Sequence, residues 1–135
     1  GATQSNFVNP SGYPDENHYT TIYDMYLIFS NAISLESFVT IINSADHDAA
    51  YTNASGNAVN VKFSNTCGYL SGAYEAPEGV NVVGGKTGTT HDAGYCLVLY
   101  STNSDNERII SIVYKADGKS NLYLLMNELL SGFAN

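Results

Sequence analysis

Three apolar, β-prone runs stand so close together in the second half of this chain that only one kind of sheet can join them. They cover Val80 to Gly88, Ala93 to Ser101 and Arg108 to Lys115. The connectors, Thr90-His91-Asp92 and Asn103 to Asn106, are turn residues and far shorter than the roughly dozen residues a parallel crossover needs. The runs are therefore antiparallel neighbours. Behind them Leu122, Leu125, Met126, Leu129, Leu130 and Phe133 recur at spacings of three and four, the pattern of a helix that covers one face of such a sheet.

The first half reads differently. Pro10, Gly12 and Pro14 keep the segment up to Asn17 in a loop. Thr20 or Thr21 then opens a helix, with Asp24 in its first turn, where a carboxylate favours the positive helix end. Its stripe of Ile22, Met25, Tyr26, Ile28 and Phe29 needs something to pack on. A shorter helix is expected from Leu35 to about Asn43, with Leu35, Phe38, Val39 and Ile42 on one face. Ala50 to Phe63 alternates on both sides of Ser55-Gly56-Asn57 and is read as a hairpin; residues 64–79 are read as a loop. The expected fold class is α+β with an antiparallel sheet and helices packed on it. At 135 residues and 44% apolar content the chain is one domain or part of one, with material for a core.

The chemistry-bearing stretch is Gly84-Gly85-Lys86-Thr87-Gly88-Thr89-Thr90, on the strand that enters the first tight turn. A phosphate-binding loop is excluded by spacing: its first glycine falls on Val80, with Gly79 one position off, and β-prone residues follow where a helix would have to begin. The other chemistry built on Lys-Thr-Gly is docking of a peptide's terminal carboxylate by a cation and a hydroxyl on a strand edge, with glycine admitting the ligand to the backbone. That motif belongs with S-x-x-K and S-x-N in the signature of penicillin-binding proteins and serine β-lactamases.

A second stretch agrees with it. Residues 6–25, Asn-Phe-Val-Asn-Pro-Ser-Gly-Tyr-Pro-Asp-Glu-Asn-His-Tyr-Thr-Thr-Ile-Tyr-Asp-Met, resemble the F-x-N-P-x-G to H-x-(S/T)-T-x-x-D-(M/L) segment of the D-alanyl-D-alanine carboxypeptidases. These are low-molecular-weight penicillin-binding proteins that trim the terminal D-alanine from peptidoglycan stem peptides. With Lys86-Thr87-Gly88 and Ala93-Gly94-Tyr95 following in family order, the resemblance covers nearly the whole chain. It implies the C-terminal half of the penicillin-binding protein and β-lactamase-like fold, and residues 1–135 as part of one catalytic domain. It also implies substrate binding by Lys86, Thr87, Gly88 and Thr89, the Thr89 N–H forming half of an oxyanion hole. No serine here is followed three residues later by lysine, so the chain is expected to hold no catalytic nucleophile. Ser55-Gly56-Asn57 matches S-x-N but follows the Asn-Pro-x-Gly loop, 31 positions before Lys86, and is read as a turn.

The remaining expectations are partners and place. The resemblance implies peptidoglycan stem peptides and β-lactams as ligands of the full-length enzyme, an extracytoplasmic location, a segment removed ahead of Gly1, and no cofactor. A net charge of −8 with five scattered Lys and Arg argues against nucleic acid. No run approaches the ~18 apolar residues of a membrane span, and Asp46, His47 and Asp48 have no metal-ligand spacing with His18 or His91. Cys67 and Cys96 are expected to stay unpaired, Cys96 as a buried thiol in its apolar strand. His18 is read as tying the loop to the following helix by hydrogen bonds. In the family sheet the strand Arg108 to Lys115 is interior, so in this chain it is expected to offer an edge for self-association or a companion chain. The competing reading is a non-catalytic extracellular module binding a cell-wall polymer through its 11 tyrosines.

Overall fold

In chain order the elements are α1 (Ile22–Ala32), α2 (Glu36–Asn43), β1 (Asp46–Thr52), β2 (Ala58–Ser64), β3 (Asn81–Thr90), β4 (Gly94–Thr102), β5 (Arg108–Ala116) and α3 (Lys119–Ser131). They come from a computed structural model that describes residues 1–134. β1 and β2 form a separate antiparallel ribbon, and β3, β4 and β5 form an antiparallel sheet in that order.

Alternation along the middle strand decides the layering. Leu97 and Leu99 point to one face, where they are sealed with Val113, Leu122, Tyr123, Met126, Leu130 and Cys67. Val98, between them, points to the other and packs with Phe29 of α1 and Ile42 of α2. The sheet is thus covered on one side by α3 and on the other by α1 and α2, in the expected α+β class. A fully buried leucine contributes about 1.5–3 kcal/mol relative to an exposed one, so β4 holds the layers together. Among the described residues no single helix is long and apolar enough to cross a membrane.

α1 begins as the sequence suggests, with the Thr21 side chain accepting from the Asp24 N–H at 3.0 Å. Asp24 does more than balance a helix end. It is 2% exposed, and its Oδ2 accepts from the Gln4 N–H and the Ser5 Oγ, both at 2.7 Å. A buried carboxylate needs such donors, and satisfying it fastens the N-terminal loop to the helix. The loop closes on itself where Asn6 and Tyr19 exchange backbone hydrogen bonds.

α2 docks on β3 through an irregularity. The β3–β4 register slips between Val82 and Gly84, and the freed Val83 carbonyl accepts from Asn43 Nδ2 at 2.6 Å. A β-carbon on Gly84 would collide with the Ile42 carbonyl, so only glycine lets the end of α2 settle on the strand. Asn65 completes the joint by donating from Nδ2 to the carbonyls of Ile42 and Ser44.

The α1 stripe is only partly covered: Phe29 is buried, whereas Ile22 is 48% and Tyr26 44% exposed. Two expectations need correction. The ribbon starts four residues before Ala50, so Asp46, His47 and Asp48 lie on β1, where Asp46 pairs with Lys62 at 2.8 Å. Both cysteines are free, but the buried one is Cys67, carried inward by the segment after β2; Cys96 is half-exposed. As expected for this chain, the Arg108 to Lys115 strand is an edge of the sheet, with β4 its one partner among the described strands.

Candidate functional site

The edge of the sheet opposite β5 is β3, and it opens on a groove of about 1800 Å³. Lys86, Thr87, Gly88, Thr89 and Thr90 form one wall, and the loop around Phe7, Pro10, Tyr13 and His18 forms the other. Two segments more than sixty positions apart, each singled out by its residues, therefore face the same space. They meet because Asp24 pins the loop to α1 while Gly84 seats α2 on β3.

On β3, Lys86 is exposed and its ammonium donates to the Thr87 carbonyl, so the cation lies along its own strand. Thr87 is half-buried, its hydroxyl 2.6 Å from that of Thr66. Gly88 is exposed, and a β-carbon there would meet nothing within 4 Å. Its bareness answers no contact within the chain, in contrast to Gly84 and Gly85. Thr89 is exposed, and the Thr90 Oγ1 accepts from the Ala93 N–H at 2.9 Å, holding the turn into β4.

The cations that the sequence scatters are gathered here. Of five Lys and Arg, Lys86, Lys115 and Lys119 line the groove, with Asp92 the acidic residue among its walls. A chain of net charge −8 thus turns positive potential toward this one concavity. Lys115 reaches it from a bulge in which Tyr114 and Lys115 oppose Cys96, with Lys115 at φ 59° in the left-handed region. Neither Lys115 nor Lys119 carries a sequence signal for this role; the β5 bulge brings the first to the groove and the start of α3 the second.

Burial holds two of the groove's tyrosines protonated. Burial pushes the Tyr114 hydroxyl up to about 12, with Cys96 adding to the shift. Burial likewise raises Tyr123, partly offset by the Gly68 N–H donating to its oxygen at 2.6 Å. The buried Cys67 thiol is raised as well, which keeps it protonated and inert as a nucleophile.

His18 ties the loop to itself rather than to the helix. Its Nδ1 accepts from the Val8 N–H at 3.1 Å and its ring meets Phe7 edge-on at 5.6 Å. Ser55 sits outside the groove at the ribbon tip, where its N–H and that of Asn57 both donate to Asn53 Oδ1 at 3.0 Å and Gly56 has φ 79°. The turn reading of Ser55-Gly56-Asn57 agrees with this geometry. Thr66 is a further groove residue that sequence reasoning passed over, inside a segment read as plain loop.

Against known proteins, a family model described as D-alanyl-D-alanine carboxypeptidase matches residues 1–118. The chain is 31% identical over 136 aligned residues to D-alanyl-D-alanine carboxypeptidase DacA of Haemophilus influenzae, covering 100% of this chain and 31% of the relative. It is 30% identical over 117 residues to D-alanyl-D-alanine carboxypeptidase DacF of Bacillus subtilis, covering 86% of this chain and 27% of that one. It thus spans about a third of the length of these curated relatives. A point mutant of the Streptomyces K15 DD-transpeptidase superposes with a TM-score of 0.81 at 25% identity, covering 98% of this chain and 49% of that structure.

Proposed function

The chain belongs to the D-alanyl-D-alanine carboxypeptidase family, and from that premise we propose that it is the substrate-docking part of a serine-type catalytic domain that removes the terminal D-alanine from peptidoglycan stem peptides. The observation that carries this reading is the presence of Lys86, Thr87, Gly88 and Thr89 on a free strand edge that walls a cation-lined groove. An extended peptide adds to such an edge by backbone hydrogen bonds. Gly88 leaves room for its approach, and Lys86 with the Thr87 and Thr89 hydroxyls meets its terminal carboxylate. The Thr89 N–H forms half of the oxyanion hole for the penultimate carbonyl.

The nucleophile comes from outside this chain. An S-x-x-K serine attacks the D-alanyl-D-alanine carbonyl, the terminal D-alanine leaves as the acyl-enzyme forms, and water releases the shortened peptide. β-Lactams acylate the same serine. Peptidoglycan substrates put the enzyme outside the cytoplasm, in the envelope or secreted. The β5 edge is covered by a strand of the rest of that domain, or by a second copy when this chain is alone. The support is a groove of about 470 Å³ along Ile110, Ser111 and Ile112. It is walled by Ile22, Tyr23 and Tyr26 of α1 and by Leu129 and Phe133 near α3.

Labelling with a fluorescent penicillin tests the reading. The chain alone takes no label, and joined to an S-x-x-K-bearing remainder it takes one label per molecule. In the joined protein Lys86→Ala suppresses labelling, whereas Ser55→Ala leaves it intact. Labelling of the isolated chain, or equal loss in both variants, overturns the assignment.

A further inference from the structure

Resting on the reading above, we propose that Thr66 is a positioning residue that supports the Thr87 hydroxyl in donating to an anionic ligand end. The two hydroxyl oxygens are 2.6 Å apart, and Thr66 itself lines the groove. Its place is fixed from both sides. Asn65 Nδ2 donates to the Ile42 and Ser44 carbonyls at 3.3 and 2.8 Å, and Asn65 Oδ1 accepts from the Cys67 N–H at 2.8 Å. Cys67 is fully buried, and the Gly68 N–H after it donates to Tyr123. An exposed threonine held between two anchored neighbours presents its hydroxyl at small entropic cost.

The consequence lies in how hydroxyls share protons. A hydroxyl has one hydrogen to give and lone pairs to receive with. Either hydroxyl can donate to the other in the free chain; once an acceptor-only group takes the Thr87 O–H, Thr66 donates to Thr87 and the two bonds reinforce each other. Ionised carboxylate only accepts, and accepts more strongly than a neutral oxygen, so this relay favours it; a terminal carboxamide accepts through its one carbonyl oxygen and gains less. The ammonium of Lys86, bonded to the Thr87 carbonyl, supplies charge on the same residue pair. Without Thr66 the Thr87 hydroxyl is free to rotate and to accept as readily as it donates. Thr66 therefore sets the preference for a free C-terminus without having to touch the ligand.

The test is a titration of the full 135-residue chain with N-acetyl-D-alanyl-D-alanine and with its C-terminal amide, followed by amide NMR shifts. The wild type prefers the acid. Thr66→Val lowers affinity for the acid about 3- to 10-fold and for the amide by less, Thr66→Ser restores the preference, and Thr66→Val added to Thr87→Val costs nothing further. Thermal unfolding of each variant at the wild-type midpoint separates positioning from loss of fold. If Thr87→Val abolishes the preference while Thr66→Val keeps it, the positioning role is overturned and the docking strand stands. If the wild type binds neither peptide, or both equally, the docking reading falls and this inference with it.

Discussion

Glycines in the motif stretch carry opposite duties, and their surroundings tell them apart. A β-carbon on Gly85 would lie 2.5 Å from the Val98 carbonyl, whereas one on Gly88 would enter open space. Gly85→Ala is therefore expected to cost about 1–3 kcal/mol as an overpacked site. Gly88→Ala should leave the unfolding midpoint unchanged while weakening acid-peptide binding; urea unfolding alongside the NMR titration checks both. Loss of stability in Gly88→Ala would make that glycine structural. Ser101 gives a contrasting case: it is wholly buried and its hydroxyl has no hydrogen-bond partner among the described residues. Ser101→Ala removes an unmet polar group and should be neutral or stabilising by up to about 1 kcal/mol. At this scale Lys86, Thr87 and Gly88 were legible because residue type and spacing encode their chemistry. Asp24 and Thr66 were legible in identity only, since their partners sit 20 and 21 positions away.

At the scale of elements, the segment between β2 and β3 is held to α3 by aromatic packing. Tyr74 stacks on Tyr123 at 3.8 Å, Tyr69 meets Tyr123 edge-on at 5.1 Å, and the Tyr69 hydroxyl donates to Asn127 Oδ1 at 2.7 Å. Burial raises the pKa of Tyr69, Tyr114 and Tyr123 in the folded state above the ordinary value near 10. The folded form then holds these protons more tightly than the unfolded one. The stability they represent is whole below about pH 10 and is lost as pH rises through the folded values. Urea midpoints should be flat from pH 8 to about 9.5 and fall between roughly 10 and 12, with Tyr114→Phe removing part of the fall. A midpoint that rises in that window contradicts the burial account. The strands, their turns and all three helices were readable from periodicity to within a few residues. The Tyr123 anchor was not, because it sits among leucines in a pattern that any amphipathic helix would satisfy, and the Val83 bulge exists only through its contact with α2.

For the molecule as a whole, the two edges of the three-stranded sheet have unlike needs. On the proposed reading β3 stays open for a ligand, while β5 has no second partner among the described strands beside the half-buried Ile110 and Ile112. At micromolar concentration the isolated chain is expected to sediment as a dimer or larger. Ile110→Lys or Ile112→Lys should return it to a monomer, and a wild-type monomer that binds no hydrophobic dye would show the edge to be closed without a partner. Pattern alone reveals a strand but not its outer neighbour, so this edge was legible only through the family resemblance. The bare edge has a consequence in time as well as in space. Residues before Arg108 leave the ribosome first, at about 5–20 per second. A covering strand encoded ahead of Arg108 has therefore been waiting for seconds when β5 emerges. Such an edge meets its neighbour at birth, and the hazard of strand-to-strand aggregation belongs to a chain without that strand.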